Sequence, residues 1–309
     1  MFSAPFPDRR IEIVEVGARD GLQNEATLVS TADKLALIGH AIDAGVRRLE
    51  VASFANPRRV PQMADAEAVI AGLPDRADVT FIGLVMNRRG ADRALATRID
   101  ELGMVCVASD GLAMRNQNQT SAESVDVARD LVGVAKAAGR GAQVTIAAAF
   151  GCPFDGAVPP DRVVEIARAL GEAGPREIAL ADTIGVAVPP EVSALVTRVV
   201  AAVGPIPVRC HFHNTRNTGL ANVWAAVEAG AVTIDASLGG LGGCPFAPGA
   251  AGNVPTEDVQ YLLERAGIAT GLDLDRLIAA NRWFAGVIGK PLPSMVARAG
   301  GFPAAPPTF

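Results

Sequence analysis

His211 and His213 stand in an H-x-H pattern, in a chain of 309 residues that holds three histidines in all. Alternate residues of an extended strand project to one face, so the two imidazoles point the same way, about 7 Å apart. Such a pair is a ready metal site that needs one or two further ligands. The plainer alternative is a pair of core or surface histidines, a role expected of His40 in the helical stretch LIGHAIDAG. Asp20 offers an oxygen ligand and Asn253 a second through its carbonyl group, although Asp20 also suits a turn in RDG. Two nitrogens with several oxygens suit Mg2+ or Mn2+ and leave Zn2+ open. Arg19 is positioned to pair an oxyanion or a carboxylate through its forked guanidinium, or to make a surface salt bridge. Glu50 is costly inside a strand unless paired, and Arg19 is the candidate partner. Cys244 sits in the loop GGLGGCPFAPGAAG. Glycine hinges would let that loop close over a ligand, and its thiol could carry a proton to or from a carbanion; otherwise the thiol is incidental.

These residues share an address. Short β-rich runs fall at 11–17, 47–53, 79–85, 104–109, 143–150, 177–183, 207–214 and 233–239. Stretches with helical spacing lie between them, the first running from a cap at Ser30-Thr31 to Gly45, with others near 90–99, 121–138, 161–173, 189–203 and 218–229. Eight such units with right-handed crossovers predict an α/β fold, a closed (β/α)8 TIM barrel. A dinucleotide-binding sheet would need G-x-G-x-x-G after an early strand, and the turn here is GARDGLQNE. One domain over 1–309 is expected, with the barrel at about 11–254 and C-terminal helices at about 255–309. In such a barrel the chemistry gathers on loops after the strands. Arg19-Asp20 follow the first strand, and Asn116 lies in a polar loop, 110–120, after the fourth. Asp182-Thr183 close the sixth, and the histidine pair ends the seventh.

Composition narrows the classes. Half the residues are hydrophobic and a fifth are charged, with a net charge of -5 and a calculated pI near 5.3. No basic stripe offers a footprint for nucleic acid. An anionic cofactor would have to bind in a local pocket. The four cysteines form no C-x-x-C pair and are too sparse for a disulfide framework. The N-terminal residues lack the order of a signal peptide and no apolar run reaches membrane-spanning length, so a reduced, cytoplasmic setting is expected.

Five segments then carry a resemblance. VEVGARDGLQNE, LEVASFANPRRVPQMAD, FGCPFDG, LADTIGVA and above all GLGGCPFAPGAAGNVPTED are similar to the motifs of hydroxymethylglutaryl-CoA lyases, of the DRE-TIM metallolyase superfamily. The resemblance runs over nearly the whole chain. It implies an acyl-CoA substrate, a homo-oligomer (dimer or tetramer), a place in leucine degradation, and Asp20, His211, His213 and Asn253 as ligands of a divalent metal. It implies that Arg19 stabilises a thioester enolate, that Glu50 supports Arg19, that Cys244 donates a proton from a mobile loop, and that Gln23, Asn116 and Thr183 join Arg19 in binding substrate. Two departures bear on the acyl group: Ala26 stands where the family usually has a CoA-binding lysine, and HFHNTRNTG brings Asn214 and Arg216 after the histidines. Citramalyl-CoA or a longer 3-substituted glutaryl-CoA are therefore rival substrates. A condensing synthase of the same superfamily is a further rival, although such enzymes usually carry a long C-terminal regulatory region. A non-enzymic protein that binds metal or CoA is the last.

Overall fold

The computed structural model describes residues 9–243 and 252–302. Eight parallel strands close into a barrel in sequence order. They are β1 (Glu12–Glu15), β2 (Arg48–Ser53), β3 (Thr80–Val85), β4 (Glu101–Val107), β5 (Gly141–Ala147), β6 (Glu177–Asp182), β7 (Val208–Phe212) and β8 (Thr233–Ala236). Between and after them run α1 (Thr31–Asp43), α2 (Ala66–Gly72), α3 (Arg88–Leu95), α4 (Asp110–Gln117), α5 (Ser121–Ala137), α6 (Pro160–Ala173), α7 (Pro189–Val203) and α8 (Gly219–Glu228). Beyond the barrel come α9 (Thr256–Arg265), α10 (Leu274–Ile288) and α11 (Met295–Ala299). The (β/α)8 architecture expected from the sequence is the one observed. None of the described helices is long and apolar enough to cross a membrane.

Local chemistry sets the helix ends. Ser30 accepts from the Asp33 amide to start α1, and Thr120 with Glu123 forms a reciprocal cap on α5. Within 110–120, where a loop was expected from the polar residues, Asp110–Gln117 is helical. Leu112 and Ala113 are its buried residues, too few to leave an apolar stripe in the sequence. α2 and the π-helical turn Gly17–Gly21 likewise lie where no helix was expected.

Barrel interiors are ordinarily filled by branched apolar side chains. Here the end at the strand N-termini holds charges. Arg48, 1% exposed, donates to Glu101 at 2.6 Å, to Glu177 at 3.0 Å and to Glu12 at 3.1 Å. Arg176 reaches Glu101 from outside at 2.9 Å.

Two buried anchors hold the loops at the opposite end. Lys34 on α1 donates to the Gln62 carbonyl and, at 2.6 Å, to Asp65, while Gln62 binds the backbone of Thr27 and Val29. The segment after Arg19-Asp20 is thereby fixed to the one after β2. Glu15 ties three elements, accepting from the Gly17 amide at 2.7 Å, the Leu238 amide at 2.8 Å and the Thr256 hydroxyl at 2.6 Å. Burial outweighs these donors and pushes its pKa up to about 7. A carboxyl with a raised folded pKa contributes stability that is complete below its unfolded value near 4.5, and that contribution is lost as pH rises through about 7. In Glu15→Gln the amide oxygen can keep both backbone donors while the NH2 group turns to Thr256. That variant is expected to be more stable than the parent at pH 8 by on the order of 1–3 kcal/mol, and nearly unchanged at pH 5. Thermal melts at the two pH values test this; equal effects at both would refute the account.

Candidate active site

The π-helical turn Gly17–Gly21 carries Arg19 and Asp20 over the C-terminal end of the barrel, with Gly17, Ala18 and Gly21 buried beneath it. Glu50, on β2 and 5% exposed, meets Arg19 there. The guanidinium donates to one oxygen of Glu50 through Nε, at 2.8 Å, and through NH2, and to Asp20 through NH1 at 2.6 Å. Burial works against the Arg19 charge, but Glu50 and then Asp20 outweigh it and raise its pKa. Asp20 is held well below the usual carboxylate range: burial opposes this, and Arg19, His211 and His213 prevail.

The end of β7 and the residue after it present His211 and His213 to the same place, their ring centroids 5.1 Å apart. His213 Nε2 lies 4.0 Å from Asp20 Oδ2. Burial, and then the neighbouring His211, push His213 down to about 4, which leaves it neutral near pH 7. The segment Gly252–Thr256 folds back onto the ends of β7 and β8, pairing Val254 with Phe212 and Ser237 with Val254, and sets Asn253 beside His213. That return is tight: a Cβ on Gly252 would lie 2.3 Å from the Gly240 carbonyl. The Asn253 amide donates to Asp20 at 2.9 Å and to the Leu241 carbonyl at 3.0 Å.

This donor set fits a divalent cation. One ligand atom each from Asp20, His211 and His213 lie within 4.8 Å of one another. Asn253 Oδ1, a carbonyl acceptor, is buried without a hydrogen-bond partner. Orphaned acceptors of that kind are rare in a folded interior and ask for a ligand.

Other expected residues stand apart. Thr183 accepts from the Ala148 amide at 2.8 Å, bracing a residue whose φ of 55° is sparsely populated outside glycine. Gln23 is half-buried on the turn after Asp20, while Asn116 is exposed on α4 and its side chain makes no hydrogen bond among the described residues. Cys244 lies outside the described residues; Cys106, Cys152 and Cys210 are buried and free. Ala26 is exposed. Asn214 accepts from the Gly219 amide at 3.0 Å, and Arg216 donates to the carbonyls of Ile184 and Gly185. Asn214 and Arg216 therefore build the surrounding loops. His40 packs against Trp283, ring centroids 4.6 Å apart, as a structural residue would.

Sequence reasoning passed over Asp235 and Arg209. Asp235 lies 3.1 Å from His211 Nδ1, and Arg209 stands two residues before His211. The available signal was the charge itself, since a carboxylate in TIDA and a guanidinium in VRCHF are costly in barrel strands unless paired.

Comparison with known proteins adds lineage to this geometry. Residues 10–283 match the HMGL-like family. The chain is 44% identical over 301 residues to the (R)-citramalyl-CoA lyase of Chloroflexus aurantiacus, covering 94% of this chain and 95% of that one. It is 38% identical over 291 residues to the 3-hydroxy-3-isohexenylglutaryl-CoA/hydroxy-methylglutaryl-CoA lyase of Pseudomonas aeruginosa, covering 94% and 97%. Its fold superposes with a TM-score of 0.92 on an HMG-CoA lyase from Acinetobacter baumannii in complex with coenzyme A and 3-methylmalate, at 39% identity, covering 97% and 98%.

Proposed function

Because the chain belongs to the HMGL-like family, we propose that this carbon–carbon lyase needs a divalent metal and cleaves a 3-hydroxy-3-methylglutaryl-CoA-like thioester into acetyl-CoA and a keto acid. With 3-hydroxy-3-methylglutaryl-CoA itself the keto acid is acetoacetate. One observation carries the reading: a carboxylate, two imidazoles and an unpartnered amide oxygen converge beside a guanidinium at the mouth of the barrel. A second substrate, citramalyl-CoA, is favoured by the 44% identity to a lyase named for it. Mg2+ or Mn2+ is the metal in this proposal, and a cytoplasmic dimer or tetramer the working form.

Asp20, His211, His213 and Asn253 Oδ1 would hold the cation, which when bound supplies Lewis acidity toward the substrate hydroxyl. Asp20 or one of the histidines takes the hydroxyl proton. The oxygen's electrons then form a ketone as the bond between C2 and C3 breaks, and the released pair passes to the acetyl thioester as an enolate. Arg19 spends three of its five N–H groups on Glu50 and Asp20. The remaining two can pair the thioester oxygen as its charge grows. Glu50 holds the guanidinium at that angle by gripping both Nε and NH2. Cys244 delivers the proton that turns the enolate into acetyl-CoA.

The test is turnover of 3-hydroxy-3-methylglutaryl-CoA and citramalyl-CoA with added Mg2+ or Mn2+, with and without EDTA. Acetyl-CoA release that stops with chelator is expected; release that survives complete metal removal would refute the mechanism. Incubation with acetyl-CoA and a keto acid, watched for free CoA, separates a synthase from a lyase. Cys244→Ser is expected to slow turnover on the order of 10²-fold or more while Mn2+ binding, followed by calorimetry, stays as in the parent. A matching loss of metal affinity would remove Cys244 from the proton-donor role.

A further inference from the structure

We propose that Asp235 and Arg209 are positioning residues for His211, fixing which ring nitrogen of that histidine is presented to the metal. The proposal rests on the metal-site reading above. Its starting point is register. Arg209 and His211 alternate on β7, so they share a face, and Asp235 on β8 is the direct neighbour of His211 across the sheet. The Asp235 carboxylate therefore lies beside the His211 ring and the Arg209 guanidinium just below it.

Asp235 Oδ2 is 3.1 Å from His211 Nδ1. An ionised carboxylate has no proton to give, so Nδ1 must carry the hydrogen of this bond. The lone pair is then on Nε2, on the other side of the ring. Ligating histidines commonly have such a carboxylate behind them, and its loss typically costs 10–100-fold in metal affinity.

Arg209 completes the arrangement without competing for that bond. Its Nε sits 3.4 Å from Asp235 Oδ1 and 3.5 Å from Glu177 Oε2, and makes a hydrogen bond to neither. Its NH2 donates to the Thr145 hydroxyl at 3.3 Å. The guanidinium thus sits among two carboxylates and a hydroxyl. It attracts Asp235 through the oxygen that His211 does not use, leaving Oδ2 for the ring. The Arg209, Asp235 and Glu177 side chains are 4%, 6% and 3% exposed, so water screens these attractions little. Burial alone would push the Asp235 pKa up; Arg209, and then His211, reverse this and hold it low. Glu177 is in turn bound by Arg48. The histidine at the mouth is therefore the last member of a charged column that begins at the far end of the barrel.

The direct readout is the His211 tautomer, and with three histidines in the chain a 15N-histidine spectrum of the metal-free protein is simple to assign. At pH 8.5 the parent should show His211 with its proton on Nδ1. Asp235→Ala and Arg209→Met should shift it toward the Nε2–H form, and Arg209→Lys, which keeps the charge, should restore most of the parent signal. Mn2+ titrations of the same proteins should show affinity about 10–100-fold weaker in Asp235→Ala and recovery in Arg209→Lys. If Arg209→Met fails to fold, Arg209→Gln, which also removes the charge, gives the same two readouts. A His211 tautomer that is Nε2–H in the parent, or unchanged in folded Asp235→Ala and Arg209→Met, would overturn the proposal. A parent protein that binds no Mn2+ would instead refute the metal-dependent reading, because the tautomer is measured without metal.

Discussion

His211→Ala is expected to lower kcat/KM for acetyl-CoA release by on the order of 10³-fold or more, and to remove tight Mn2+ binding with it. The ring supplies one of the three converging donor groups, and no neighbouring side chain can replace it: Asp235, the nearest carboxylate behind it, is held by Arg209. The fold should tolerate the change, since the ring lies at the open end of the barrel and Asp235 keeps its countercharge. A variant that is folded by circular dichroism yet binds Mn2+ weakly would link the two losses to one cause. Turnover within tenfold of the parent would remove the metal site from the mechanism.

Arg19→Lys is expected to lower kcat by about 10²–10³-fold, the range seen when a single oxyanion donor is removed, with KM changed by a few-fold only. Lysine keeps the positive charge between Asp20 and Glu50, so the buried carboxylates are not left uncompensated. It cannot grip Glu50 by two nitrogens, reach Asp20 with a third and still offer N–H groups to substrate. Mn2+ affinity should stay near that of the parent because every proposed ligand remains. Steady-state kinetics beside Mn2+ calorimetry read both quantities, and a kcat within about fivefold of the parent would deny Arg19 its place opposite the enolate.

How much of this was legible in the sequence depended on which physical signal each part left. β5 and β6 are short apolar runs buried on both faces, and they stand out at once. The same holds for α1 and α5, whose caps and apolar spacing agree. α4 escaped because Asp110, Gly111, Arg115 and Asn116 read as loop, and its two buried residues are adjacent in sequence. The RDG segment read as a turn, since a five-residue π-helical turn has no periodicity to detect. Among the site residues, His211, His213, Asp20, Arg19 and Glu50 could be picked out by type and by position at strand ends. The bond from Asn253 to Asp20 could not, because it depends on the return of Gly252–Thr256 across β7 and β8. Asp235 and Arg209 were readable in principle: a charged side chain in an interior strand must find a partner, and the residue two places before a candidate ligand shares its face.

The ionic floor formed by Arg48, Glu101, Glu177 and Glu12 also shapes how this barrel can change over generations. Removing Arg48 takes the shared cation from the buried Glu101 and Glu177 carboxylates, typically at a cost of about 3–5 kcal/mol, whereas exchanging the buried group for well-packed apolar side chains is often neutral or favourable. Lineages that vary one codon at a time would meet a valley between two workable interiors, and effects measured singly at these sites would not add. A saturation library of this floor should therefore recover its survivors as joint replacements, with few isolated ones among them.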